Sequence, residues 1–492
     1  MTETPVAKLI ITLGIPTTVS VLITSLYNLA DTYFVGTLGE SAQGAVGILF
    51  TLQGFIQASA YMLGHGSGTF VAKELAEKNE KRASVYVSSA FFAGLILGAV
   101  ITVFGLIFLT PFMRLLGSTE TILPYAREYG VWVVLSAPFI ICSIILNNNL
   151  RYEGKAFFAM IGLTSGAVIN VALDYVFVMV VGLGVFGAGM ATAVSQVISF
   201  TFLLVLYNKM AQSHISFKYV AKKFSLYLTV LKVGFPSFIR QGLTAVSGGV
   251  MNNLTKPFGD GAIAAMSIVN RYTSLITCVG LGIGQGYQPV AAFNYQLKKY
   301  NRVKKGLLAT MGIGFGCVLF LSVFGLIFPE DIVSLFQKSP EVVKTGARAL
   351  VFASAGLPLM PLIIPVNMLY QSIRSAKTAA FLSLLRSGAV LIPTALILSS
   401  IFGLNGIFVS QPASDFITAI INIPFVISFV RRHKEAPSVN TPATGITPSA
   451  AQAVPSASVE PAAPTAPAAP TAPAESAEPP YKDTATPKGQ DK

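Results

Sequence analysis

The chain is 492 residues long, 53% hydrophobic and only 11% charged, with a mean hydropathy of +0.66. Soluble domains carry roughly 45 to 50% apolar and about 25% charged residues, so this composition excludes a soluble globular protein and indicates a polytopic membrane protein. A formal net charge of +13 would suit nucleic acid, but the basic residues are spaced as topology signals between apolar segments.

Twelve apolar stretches of ~20 residues or more, enough to cross ~30 Å of hydrocarbon, begin near Leu9, Gln43, Ser84, Glu128, Phe157, Phe186, Leu228, Ala262, Val303, Ala347, Thr378 and Ile407. They show no period-two alternation, which argues against an outer-membrane barrel. The first has no strongly basic leader and no clear cleavage site, so it is expected to be retained as the first helix. Alternate connections, with the N-terminus and the residues after the last span, hold 21 Lys and Arg, against six on the opposite side. The positive-inside rule therefore places both termini in the cytoplasm of a multi-pass cell-membrane protein. Cys142, Cys278 and Cys317 fall inside spans without ligand spacing, which gives neither a disulfide framework nor a metal site.

The chain repeats itself. At a constant offset of 220, Gly14, Pro16, Thr24, Gly39, Gly64, Gly66 and Arg82 match Gly234, Pro236, Thr244, Gly259, Gly284, Gly286 and Arg302, and VFGLIF at 103–108 recurs at 323–328. Further on, SGAV at 165–168 pairs with SGAV at 387–390. Two copies of six helices, an even number, enter the membrane with the same orientation, so they are parallel repeats enclosing a central path. The expected domains are an N-terminal lobe over 1–207, a basic cytoplasmic linker over 208–227 able to lie at the lipid surface, a C-terminal lobe over 228–433, and a disordered Pro/Ala-rich tail over 434–492.

Of 21 acidic residues, only Asp31, Asp174 and Asp415 fall within spans. A carboxylate at the centre of a helix costs roughly 2.5 to 3.5 kcal/mol on insertion scales, so one that persists marks a site. The positions matching Asp31 and Asp174 in the second copy are Met251 and about Leu396, both apolar, which confines the paired acids to the first half. Asn170 stands four residues before Asp174 and Asn28 three before Asp31, giving each acid an amide on its own helix. Such hard oxygens suit a proton or a small cation such as Na⁺. The alternative for each acid is a structural ion pair with Arg240, Arg271 or Arg386.

These features, with LYNLADTYFVGTLG at 26–39, NVALDYVFVMVVGLGVFGAGMATAVSQ at 170–196 and GIGQGYQPVAAFNY at 282–295, resemble the MATE family of multidrug and toxic compound extrusion transporters, closest to its MepA-like branch. The resemblance implies an all-α, V-shaped bundle of twelve transmembrane helices in two six-helix lobes that rock between outward-open and inward-open states. It also implies an N-lobe cation site at Asp31, Asn170, Asp174 and Thr192, with Pro16 involved in switching. The carboxylates that the NorM-like branch carries in its seventh and tenth helices are absent.

A cavity for lipophilic cations calls for aromatics and amides. Tyr27, Gln53, Gln57 and Asn148, with the neighbouring Asn147 and Asn149, are the candidates; interhelical packing is the other role open to them. Gly64, Gly66 and Gly68 are not followed by G-K-[ST], so no phosphate loop is present, and His65, His214 and His433 do not cluster. No catalytic constellation emerges and no cofactor is expected. The expected function is cation-coupled efflux of lipophilic, mostly cationic compounds by a monomeric antiporter using H⁺ or Na⁺. Export of a lipid-linked saccharide is the alternative.

Overall fold

A computed structural model describes residues 1–337 and 339–433, and among them there are only helices, turns and loops. The expected tail lies outside the described residues. Twelve long helices follow in order: α1 (Val6–Gly36), α2 (Glu40–Ala76), α3 (Glu80–Ile107), α4 (Leu123–Tyr152), α5 (Ala156–Val180), α6 (Gly184–Met210), α7 (Phe224–Thr255), α8 (Asp260–Gln296), α9 (Tyr300–Ile327), α10 (Pro340–Ser372), α11 (Ala376–Phe402) and α12 (Leu404–Arg432). Eleven are long and apolar enough to cross a membrane. The exception, α7, has the length, at 32 residues, but Lys232, Arg240 and its Ser, Thr, Gly and Asn residues lower its hydropathy. It packs between α2 and α11, away from a purely lipidic surround.

The helices form where apolar runs leave backbone groups no partner but one another, and glycine ends them where the chain must turn. Gly39 and Gly259, one repeat apart, precede α2 and α8 with φ of 119° and 87°, a region open to glycine. Two helices contain π turns, Tyr175–Val180 in α5 and Leu385–Ala389 in α11.

The repeat is visible as duplicated contacts. Asn147 Nδ2 donates to the Ala159 carbonyl at 2.9 Å, and Asn367 Nδ2 to that of Ala379 at 2.7 Å. Gly105 packs on Val134 as Gly325 packs on Ser354, and Gly94 on Ile141 as Gly314 on Pro361. The two VFGLIF segments each turn Phe104 and Ile107, or Phe324 and Ile327, outward, as a lipid-facing belt requires.

Between the repeats, α1 packs against α8 and α2 against α7. On the side that carries the N-terminus the contact is backbone to backbone: a Cβ at Gly286 would lie 2.6 Å from Gly14 Cα, one at Gly234 would sit on the Met62 carbonyl, and one at Gly66 on the Val230 carbonyl. Small residues permit such approach. Toward the other end Gly47 and Gly54 of α2, and Gly242, Gly248 and Gly249 of α7, meet nothing within 4 Å. The helices α2 and α7 therefore converge at one end and diverge at the other. Pro16 is buried within an α1 that runs unbroken past it, two residues from Gly14 in this seam.

The connection between α6 and α7, expected from its lysines as a cytoplasmic linker that lies at the lipid surface or as a solvated loop, is held by hydrogen bonds. Apart from a single 3-10 turn at Phe217–Tyr219 it is non-helical, and it is strapped to α3. The Ser84 and Ser89 hydroxyls accept from the His214 and Ala221 amides at 2.9 Å, and Ser88 bonds His214 and Ser216 at 3.1 Å. Glu153 holds the near end, accepting from the Gln212 amide at 2.6 Å, from Tyr207 Oη at 3.1 Å and from the Ser213 hydroxyl. Serines spaced along α3 satisfy backbone amides that a surface helix would have satisfied itself.

Candidate ion and substrate site

Four helices of the first repeat bring one polar cluster together. Asp31 comes from α1, Asn170 and Asp174 from α5, Thr192 from α6, and all four are buried. The element joining them is Tyr129 of α4, 1% exposed. Its Oη donates to Asp31 Oδ2 at 2.8 Å and lies 3.1 Å from Thr192 Oγ1, which accepts from Asn170 Nδ2 at 3.4 Å. Because the tyrosine proton is committed to Asp31, the Thr192 hydroxyl donates to Tyr129, and the donors run Asn170, Thr192, Tyr129 toward the carboxylate.

What the cluster lacks is as informative. Asp31 Oδ1, Asn170 Oδ1 and both Asp174 oxygens are buried acceptors without a donor among the described residues. Neither acid has an ion pair there: of the three intramembrane acids only Asp415 does, with Arg386 Nε at 3.0 Å. Two buried carboxylates in one cluster, with three open oxygens between them and the open amide oxygen of Asn170 beside them, favour uptake of a positive charge. The donor set, carboxylate and amide oxygens alone, fits H⁺ or Na⁺ and no softer metal. No group of three or more His, Cys, Asp or Glu able to hold a metal occurs among the described residues.

By sequence, Asp174 is expected deeper in its span than Asp31. The structure sets them level, Asp31 five residues before the end of α1 at Gly36 and Asp174 six before the end of α5 at Val180, at the last α-helical residue before the π turn. Tyr129 is neither an acid nor an amide, so nothing in its local sequence marks it. The comparison of repeats would have found it, since its counterpart is Ala349.

Tyr27 and Gln57 line a narrow cleft beside the cluster, with Thr24, Tyr61, Asn147 and Gln196. Gln53 is buried off this lining. Asn148 also turns elsewhere: its Nδ2 caps the Ile144 carbonyl at 2.7 Å and its Oδ1 accepts from Arg151 Nη2 at 2.5 Å. Arg151 in turn bonds Gln285 of α8, so Asn148 and Gln285 belong to a contact between repeats. Asn149 bonds Ser67 at 3.0 Å. Of the three consecutive asparagines only Asn147 lines the cleft.

The chain resembles curated bacterial exporters along most of its length. It is 26% identical over 437 residues to the multidrug export protein MepA of Staphylococcus haemolyticus, covering 87% of this chain and 95% of that one. The MepA of Staphylococcus saprophyticus is 25% identical over 412 residues, 83% of this chain and 90% of its own. Among solved structures, an outward-facing conformation of a multidrug resistance MATE family transporter superposes with a TM-score of 0.82 at 24% identity, covering 88% of this chain and 97% of its own. A transporter from Pyrococcus furiosus superposes at 0.83, also at 24% identity, over 88% and 98%. These likenesses show the fold. The MatE family profile matches residues 16–176 and again 236–397, the same two copies that the repeat and the duplicated contacts mark out, and the chain belongs to the MatE family.

Proposed function

We propose that this chain is a multidrug efflux transporter, exchanging lipophilic, mostly cationic compounds for H⁺ or Na⁺ by alternating access, with Asp31, Asn170, Asp174 and Thr192 as the coupling site. It is a transporter and not an enzyme. The observation that carries this reading is the pair of buried acids that have no basic side chain paired with them among the described residues. An ion entering the cluster neutralises it and removes the charge that holds a cationic compound in the adjoining cleft of Tyr27 and Gln57. Release of the ion restores that charge. Coupling follows when the ion binds the two conformations with different affinity. With both termini in the cytoplasm, the seam at Gly14, Gly66, Gly234 and Gly286 closes the cytoplasmic side, and this conformation faces outward. Pro16 lies where α1 must part from α8 on reversal, and its missing amide leaves the Thr12 carbonyl without its helical donor, a weak point for bending. The lobes are taken as 1–207 and 228–433, working as a monomer in the cell membrane.

The test is ethidium efflux from an efflux-deficient host, with Na⁺ varied at fixed pH and pH at fixed Na⁺, beside Asp174→Asn. The expected result is gradient-driven efflux by wild type and none above background by the variant. Undiminished efflux by Asp174→Asn would overturn the site. Absence of efflux by well-expressed wild type under every gradient would favour export of a lipid-linked saccharide.

A further inference from the structure

The second repeat carries a cavity where the first carries its acids. Met251 and Ala349, the repeat counterparts of Asp31 and Tyr129, both line it, and exchange of a tyrosine for an alanine opens the space that Tyr129 fills in the other lobe. Its volume is about 370 Å³, within the roughly 300 to 1,000 Å³ of small-molecule sites. Met251, Met266, Leu391 and Phe408 give it a polarisable apolar wall.

Unlike the acid cluster, it is lined by an arginine as well as an acid. Arg386, held in the π turn of α11, lines the cavity; the Ser247 hydroxyl of α7 braces that turn by donating to the Ser387 carbonyl. Arg386 meets Asp415 of α12 end-on, through Nε alone, at 3.0 Å. The same Oδ1 accepts from Gln411 Nε2 at 3.1 Å, so one oxygen of Asp415 takes two donors while Nη1 and Nη2 of Arg386 have no acceptor among the described residues. The arginine keeps 22% exposure and Asp415 only 2%. Among the described residues Arg386 is the one guanidinium and Asp415 the one carboxylate lining the cavity.

We propose that this cavity is a second substrate subsite, in which the free Nη1 and Nη2 fork of Arg386 binds the carboxylate of a lipophilic organic acid or zwitterion. Asp415 holds the arginine in place and competes with the ligand for it. Arginine binds carboxylates through two parallel N–H donors, and both terminal nitrogens are available. The chain thereby accepts compounds that the acidic lobe alone would repel. This rests on the efflux reading for its transport consequence, but not for binding.

A fluorescent rhodamine free acid and its methyl ester differ only in the carboxylate. Fluorescence anisotropy of each dye, titrated with purified full-length protein in detergent, measures the contribution of that group. Wild type is expected to bind both. Asp415→Asn, which removes the competitor and keeps an acceptor for Gln411, should tighten binding of the free acid several-fold and leave the ester unchanged. The double variant Arg386→Gln with Asp415→Asn, which removes the charge pair as a unit and leaves no orphan ion, should weaken the free acid at least tenfold and again spare the ester. Equal affinity of the free acid for wild type and double variant would overturn the subsite. Binding of the ester alone by wild type, or of neither dye, would overturn it while leaving the efflux reading to the ethidium test.

Discussion

Tyr129 converts two isolated acids into a site, and its hydroxyl is the group whose removal is most informative. Tyr129→Phe keeps the ring, which is almost fully buried, and deletes the donor to Asp31 Oδ2 together with the acceptor for Thr192. A hydrogen bond to a charged group is worth about 1.5 to 3 kcal/mol, roughly a tenfold change in affinity or more. The sign depends on the ion. Na⁺ needs the carboxylate held in place, so the Na⁺ concentration for half-maximal efflux should rise about tenfold; a proton competes with the tyrosine for the same oxygen, so a proton-coupled exporter should reach half-maximal efflux at higher pH. Efflux titrations of this variant against each ion distinguish the two. An unchanged response to both would remove Tyr129 from the site. Asp31→Asn should abolish gradient coupling, as is expected of Asp174→Asn, since each acid supplies oxygens that nothing else in the cluster replaces.

Helices meet here through backbone, which makes single methyl groups decisive. Gly234→Ala places a Cβ on the Met62 carbonyl in the converged seam of α2 and α7, and overpacking of this kind costs about 1 to 3 kcal/mol. The penalty exists only when the seam is closed, so the variant should shift the population toward the conformation open on that side. Ser237 is fully buried next to the seam; as Ser237→Cys it should be labelled by a membrane-impermeant maleimide several-fold faster in the Gly234→Ala background. Unaltered labelling would show that the seam does not govern access. The strap between α6 and α7 is governed by charge instead. Burial pushes the Glu153 carboxyl above the usual carboxylate range, against the hydrogen bonds it accepts from Ser213, Gln212 and Tyr207. A raised folded-state value means that its contribution to stability is fully present below the ordinary glutamate range and is lost as pH rises through the folded value. Thermal unfolding of wild type compared with Glu153→Gln should therefore show the wild-type advantage growing as pH is lowered from about 8 to 5. A gap that widens toward high pH would contradict this assignment.

Across the molecule the two repeats share a scaffold and divide the chemistry. The closed side is fastened by contacts between them: Arg302 of α9 donates to the Thr4 carbonyl at 2.6 Å, Arg374 stacks over Phe70 of α2 at 5.8 Å, and Gln296, which accepts from Arg374 within the second repeat at 2.7 Å, reaches Glu77. Partly exposed pairs of this kind contribute ~1 kcal/mol or less each, so Arg374→Gln should speed labelling of Ser237→Cys less than Gly234→Ala does. A larger effect from the arginine would mean that polar contacts, and not glycine packing, hold the seam.

Span number, the parallel repeat and the confinement of paired acids to one half were legible from the residues, because hydropathy, offset and charge are properties of consecutive sequence. The acids gained their significance when Asp31 was set against Met251 and Asp174 against the apolar region near Leu396. Partners on other helices were not legible. Nothing local distinguishes Asn147, which faces a cleft, from Asn148, which faces Arg151, or announces that Asp415 is paired while Asp31 and Asp174 are not. The lysine-rich connection carries no mark that serines on α3 will hold it. Helices in a membrane choose their neighbours by close packing and by finding donors for buried acceptors, and those matches join residues as far apart as Asp31 and Tyr129, or Gly66 and Val230. Only the tertiary structure brings them together.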